Sequence, residues 1–336
     1  MRSAFDGRYG IAREPADLFD LYKIRELQFV GGCGFETRTT SVFRALANTE
    51  AEVSCTIVDL LNKNDPSYRK SRRLQKPNMT DFQEIAKGKD WHFNKITADL
   101  YSDRFVAHTS LLKTLREILR RFSGDFLVDI SSLPRSIMLP ALRVLWESRK
   151  VKNLFASYTE DPTVGHLEKQ ATGYRPPAFL PLFSQTNASR FSVWFPILGS
   201  DDEPLRKIFR SSKFNDTYPV VGFPSSRPIE SDEIVRENQA VIRGQIEKII
   251  FASMDNPFHL ALKLNSMIDE IRRAFGNEAN VILSPHGSKP QSVGVFLTSV
   301  MRDASVLYCQ PLSYTSLPGK VGPSLVYWLK GNVYGS

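Results

Sequence analysis

A chain of 336 residues with 42% hydrophobic and 24% charged residues has the composition of a globular protein, long enough for one large core or two ordinary ones. Three cysteines, Cys33, Cys55 and Cys309, are too few and too scattered for a disulfide scaffold or a cysteine-based zinc site, so a reducing cytoplasm is the expected setting. Lys plus Arg exceed Asp plus Glu by 44 to 36, a net charge of +8 that favours anionic partners without diagnosing a nucleic-acid binder; MRSAFDGRYG lacks an apolar signal core, and no run approaches the roughly 18 apolar residues of a membrane span.

Residues 1–25 read as a short helical or irregular lead-in. Then IRELQFVGGCGFETRTTSVFRALAN predicts a strand, a Gly-rich turn and an amphipathic helix, and EVSCTIVDLL predicts a second strand. The run LNKNDPSYRKSRRLQKPN holds Lys63, Arg69, Lys70, Arg72, Arg73 and Lys76 against Asp65 alone. Its polarity and Pro66 predict a mobile basic loop, either simply solvated or poised over a phosphate-bearing ligand or nucleic acid. TDFQEIAKG and WHFNKITAD predict a helix and a short strand. SLLKTLREILRRF places Leu111, Leu112, Leu115, Ile118 and Leu119 at helical spacing, with basic residues opposite. DFLVDI, SIMLPALRVLWES and VKNLFASYT then read strand, helix, strand.

After Gly165 the proline-rich stretch YRPPAFLPLFSQTNAS marks a linker or extended arm. Strand–loop–helix units resume with FSVWFPILGSDDEPLRKIFRSS and continue through ANVILSPHGSKPQSVGVFLTSVM to the strand ASVLYCQPLSY. Such alternation predicts an α/β fold with parallel sheets. Pro134-Arg135-Ser136-Ile137 aligns with Pro290-Gln291-Ser292-Val293, and Tyr158 with Tyr308. The pattern suggests two Rossmann-like halves with an internal duplication, 1–170 and 191–336, joined by a linker at 171–190.

In an open parallel sheet the loops after the strand C-termini line the ligand crevice, and the next helix offers unpaired N–H groups with a partial positive charge. Ser131, Ser132 and Arg135 fall between the strand DFLVDI and its helix, where small hydroxyls and a guanidinium can hold a phosphate or carboxylate. A helix start needs one capping serine, which leaves the second serine and the arginine over. Ser284, His286, Gly287, Ser288 and Lys289 occupy the corresponding later loop, and Gly31 to Arg38 supplies Glu36 and Arg38 without forming a dinucleotide fingerprint or P-loop. The five histidines show no HExxH or paired metal spacing, so no metal or cofactor is expected. No catalytic set stands out; Asp129 and Glu36 are the candidate general bases.

GFETR, DISSLPR and FASYTEDP together resemble a group of bacterial Rossmann-like proteins found near phage-defence genes, and SPHGSKPQS resembles the ligand motif of the CARF and SAVED sensor domains. The resemblance touches about a third of the chain. It implies a sensor or adaptor whose loops hold a nucleotide-derived anion through Ser131, Ser132, Arg135, His286, Ser288 and Lys289, acting on an effector protein. A nucleotide-directed hydrolase or N-glycosidase is the alternative, and a protein-interaction scaffold, or one binding nucleic acid through Arg69, Lys70, Arg72 and Arg73, the third reading.

Overall fold

The computed structural model describes residues 11–12, 24–61, 68–100, 108–162, 171–183, 191–225, 227, 229–276, 279–314 and 319–331. The chain forms two units, one from residues 1–165 together with 315–336 and one from residues 166–314.

In the first unit β1 (Glu26–Cys33), β2 (Glu52–Leu61), β3 (Phe93–Asp99), β4 (Gly124–Asp129) and β5 (Val151–Thr159) are all parallel and lie in the spatial order β3-β2-β1-β4-β5. Helices α1 (Ser41–Ala47), α2 (Tyr68–Gly88), α3 (Thr109–Arg121) and α4 (Arg135–Glu147) make the crossovers. Central strands covered on both faces need continuous apolar runs, and β4 supplies Phe126, Leu127 and Val128, all fully buried. Phe43 of α1 packs against Phe29, Phe82 and Trp91 at ring-centroid distances of 5.0, 5.2 and 5.3 Å, anchoring α1 and α2 to one face. Beyond β5 runs an antiparallel strand, Ser324–Lys330, with Trp328 opposite Phe155.

The second unit has the same order. Its strands β6 (Ser192–Ile197), β7 (Val220–Gly222), β8 (Ile250–Ala252), β9 (Asn280–Pro285) and β10 (Ser305–Tyr308) lie as β8-β7-β6-β9-β10, again parallel, with Ala178–Phe179 antiparallel on β10. Helices α5 (Glu203–Ser211), α6 (Glu230–Glu237), α7 (Gln239–Ile242), α8 (Pro257–Phe275) and α9 (Lys289–Arg302) follow in chain order. α8 and α9 pack closely because Gly294 lacks a side chain: a Cβ there would stand 2.7 Å from the Pro257 carbonyl oxygen. Both units therefore show the 3-2-1-4-5 order of a Rossmann half, and the strands carrying Asp129 and Ser284 occupy the same fourth position.

Three details differ from the sequence reading. The boundary falls at Gly165, and the final strand, Ser324–Lys330, returns to the first sheet where a division at 191 assigned it to the second half. The expected linker instead contains Ala171–Tyr174 and Ala178–Phe179, which pair with Pro311–Tyr314 and β10; residues 184–190 lie outside the described residues. The basic run is a correction: Arg69, Lys70, Arg72, Arg73 and Lys76 belong to α2, a 21-residue helix, while Lys63, Asp65 and Pro66 lie outside the described residues. Its helical signal is weak because the N-terminal half buries little beyond Gln75, whereas Phe82 and Ala86 anchor the far end. Among the described residues no helix is long and apolar enough to cross a membrane, and no group of three or more His, Cys, Asp or Glu side chains could hold a metal.

Candidate functional site

The strand order of the first sheet reverses between β1 and β4, the position at which open α/β sheets place a ligand crevice, and the loops 34–40 and 130–134 border it here. The two loops touch through absent side chains. A Cβ on Gly34 would stand 2.9 Å from both Cβ and Oγ of Ser132, and one on Gly32 would stand 3.0 Å from the Leu133 side chain.

Asp129 ends β4 fully buried. Its Oδ1 accepts from the Ser131 hydroxyl at 2.6 Å and from the Ser131 amide at 3.1 Å. Ser131 Oγ in turn accepts from the Thr159 amide at 2.9 Å, and the Thr159 carbonyl accepts from Arg38 Nη1 at 2.8 Å. Arg38 also donates to Glu36 through Nε at 3.1 Å and Nη2 at 3.2 Å, and to the Tyr158 hydroxyl at 3.3 Å. A hydrogen-bonded chain thus runs from Asp129 to Glu36 across the ends of three strands. Ser132 reaches Thr39, with 2.8 Å between their hydroxyl oxygens.

Burial pushes the Asp129 carboxyl up to about 6, against the hydrogen bonds of Ser131 and the charge of Arg38, which pull it down. Burial alone would disfavour the Arg38 cation, but the Glu36 carboxylate and Tyr158 outweigh it and hold the guanidinium above its ordinary value. Arg38 is therefore a fixed buried charge whose field reaches Asp129.

The crevice ends at α4. Pro134 stands at its N-cap and no side chain caps that end; the Ile137 and Met138 amides both turn back to the Pro134 carbonyl at 2.9 Å. Neither serine caps the helix, because Ser131 is held by Asp129 and Thr159 and Ser132 by Thr39. Arg135, the first residue of α4, is partly exposed, and the buried Ser136 hydroxyl finds no partner among the described residues. On the other side, Asn78 of α2 donates to the carbonyls of Gly34 and Glu36, each at 2.9 Å, fixing the first loop. Arg72 is not a free contact for nucleic acid: it pairs with buried Asp59 at 2.5 Å, beside Lys95 at 3.0 Å. Arg69, Lys70 and Arg73 are exposed on α2.

The later loop is built differently. Ser284 is fully buried and accepts from the Trp194 indole at 2.8 Å. Ser288 caps α9 in a reciprocal capping box with Gln291 and donates to the Met254 carbonyl at 2.6 Å. His286 stacks on Tyr308 at 5.0 Å, and Gly287 is hemmed by Gln291, whose Oε1 would lie 2.2 Å from a Cβ. Lys289, the first residue of α9, is partly exposed. Here serines that could have met a ligand satisfy the fold. Ser131, Ser132, Asp129, Glu36 and Arg38 are brought together; Ser284, His286, Gly287, Ser288 and Lys289 form a separate set in the second unit. Thr39, Asn78 and Thr159 complete the first set and had no signal in the sequence beyond their polarity.

No protein-family model matches the chain, and no curated protein matches it. The cytoplasmic domain of a prokaryotic cation chloride cotransporter, a solved structure, aligns over 86% of this chain and 96% of its own with 9% identity and a TM-score of 0.24, a likeness too low to carry an argument.

Proposed function

We propose that the protein is a sensor or adaptor that binds a nucleotide-derived, phosphate-bearing anion in the crevice between β1 and β4 of the first unit. The observation that carries this reading is the contrast between two equivalent helix starts: α9 is closed by Ser288 and Gln291, whereas α4 has no side-chain cap although two serines precede it. An uncapped first turn turns the positive end of its helix dipole toward an anion, and its first residue, Arg135, carries a planar guanidinium of matching charge. The Asp129–Ser131–Thr159 chain fixes the loop, so the donors are held in place before a ligand arrives. A role in antiphage defence rests on the resemblance of the loop motifs.

A second reading, a nucleotide-directed hydrolase or N-glycosidase, draws on Asp129, whose value of about 6 suits a general base near neutral pH. Its carboxylate is fully buried and occupied by Ser131, which favours binding over chemistry. Titrating the full chain with ATP, NAD and cyclic dinucleotides while assaying the same mixtures for turnover separates the two. Thermal stabilisation without product supports the sensor; turnover lost in Asp129→Asn supports the enzyme.

A further inference from the structure

The second unit carries a group of arginines that the crevice does not use. α8 and α9 run back from the C-terminal ends of β8 and β9, so both helices finish at the other end of the second sheet. Their C-terminal turns border an open concavity of about 420 Å³ lined by Asp269, Arg272, Arg273, Met301 and Arg302. Three guanidinium groups there face one carboxylate.

Part of this set serves the fold. Arg272 Nη2 donates to the Arg302 carbonyl at 2.6 Å, satisfying the end of α9, and Arg302 Nη2 pairs with Asp269 at 2.8 Å. Arg273 Nε donates to the Asp269 carbonyl at 3.3 Å. Cations at helix C-termini are ordinary dipole partners and by themselves mark nothing. Two donors are left over: the Nε atoms of Arg272 and Arg302 are buried and have no acceptor among the described residues. A buried charged donor without an acceptor is costly, and guanidiniums lining one concavity repel one another. An anion with several oxygens removes both costs at once, because each Nε–H and its neighbouring Nη–H form a fork that matches phosphate geometry.

We infer that this concavity between the C-terminal ends of α8 and α9 is a second anion site, taking a small phosphorylated anion between Arg272, Arg273 and Arg302. An extended polyanion fits poorly, since exposed Asp269, Glu270 and Asp303 flank the arginines. The inference does not depend on the β1/β4 crevice, which lies in the other unit.

The test uses the full-length protein and pyrophosphate as probe, titrated calorimetrically at fixed ionic strength beside sulfate and chloride controls. Pyrophosphate is expected to bind saturably to the wild type and to Arg135→Ala alike. Arg302→Gln and Arg273→Gln are each expected to weaken that binding at least tenfold, and Arg273→Gln to do so without lowering the melting temperature of the ligand-free protein. Arg273→Gln keeps the test decisive if Arg302→Gln fails to fold, because Arg273 is exposed and its Nε donates to a backbone carbonyl on its own helix. Unchanged affinity in Arg273→Gln, absence of wild-type binding, equal competition by chloride at the same ionic strength, or loss in Arg135→Ala alone would each overturn the inference.

Discussion

Asp129 and Ser131 are joined twice, the Asp129 Oδ1 accepting from both the hydroxyl and the amide of a residue two positions on. This small ring turns the chain sharply at the end of β4 and directs Ser131 Oγ to the Thr159 amide on the neighbouring strand. The turn that forms the crevice is thus held by a buried carboxylate whose charge the fold disfavours.

That cost makes stability depend on pH in a definite direction. Asp129 has a folded value of about 6, above its ordinary 3.8, so the folded state holds the proton more tightly than the unfolded chain. Its contribution is most favourable below about pH 4 and declines as pH rises to about 6, by about 3 kcal/mol in all for a shift of about two units. Asp129→Asn removes the titration. Urea unfolding at pH 4 and pH 7 should show the variant gaining about that much relative to wild type; parallel pH profiles would mean that the carboxylate is not desolvated as the structure implies.

Arg38 is the opposite kind of charge, buried but well partnered. Replacing it by Ala leaves the Glu36 carboxylate and the Thr159 carbonyl without their donor, and breaking a buried pair in this way costs about 3 to 5 kcal/mol. Chemical denaturation of Arg38→Ala checks this. A loss under 1 kcal/mol would show that the strand ends are held without it.

All three cysteines are buried, and burial pushes the thiols of Cys33, Cys55 and Cys309 up to about 12. Thiolate is the reactive form, so iodoacetamide at pH 8 should leave the native protein unmodified and label three sites after denaturation. Rapid labelling of the native chain would contradict the described packing.

How far these features could be read from the sequence differs between fold and site. Most strands and helices of both units follow from local apolar patterns, since Phe126 to Val128 or Leu111 to Leu115 need no distant partner to reveal their faces; β8, three residues long with Phe251 exposed, does not. The 3-2-1-4-5 order and the return of Ser324–Lys330 do not, because Trp328 meets Phe155 across about half of the chain. α2 was hidden by its charge: Arg72 is helical yet serves Asp59, a partner set by the β2 register. In the site, Asp129, Ser131 and Ser132 are neighbours in sequence and could be grouped. Ser284 could not be assigned to Trp194, 90 residues away, until the second sheet brought β6 and β9 together.

Arg135→Ala should lower affinity for a phosphate-bearing nucleotide about ten- to hundredfold, the loss of a charged hydrogen bond of about 1.5 to 3 kcal/mol, while leaving the fold intact. Leu139→Ala is the contrasting change. Leu139 is fully buried in α4, and its truncation should cost about 2 to 5 kcal/mol of stability whatever binds at the crevice. Unfolding by Arg135→Ala with affinity per folded molecule unchanged would make the arginine structural.

The most direct measurement follows backbone amide chemical shifts of isotope-labelled protein during titration with ATP, NAD and cyclic dinucleotides. Binding at the uncapped start of α4 predicts that the Arg135 and Ser136 amides shift first and saturably with at least one of these ligands, and that Arg135→Ala weakens the response. Saturable shifts confined to residues outside loops 34–40 and 130–136, or no saturable response to any of the three, would contradict it.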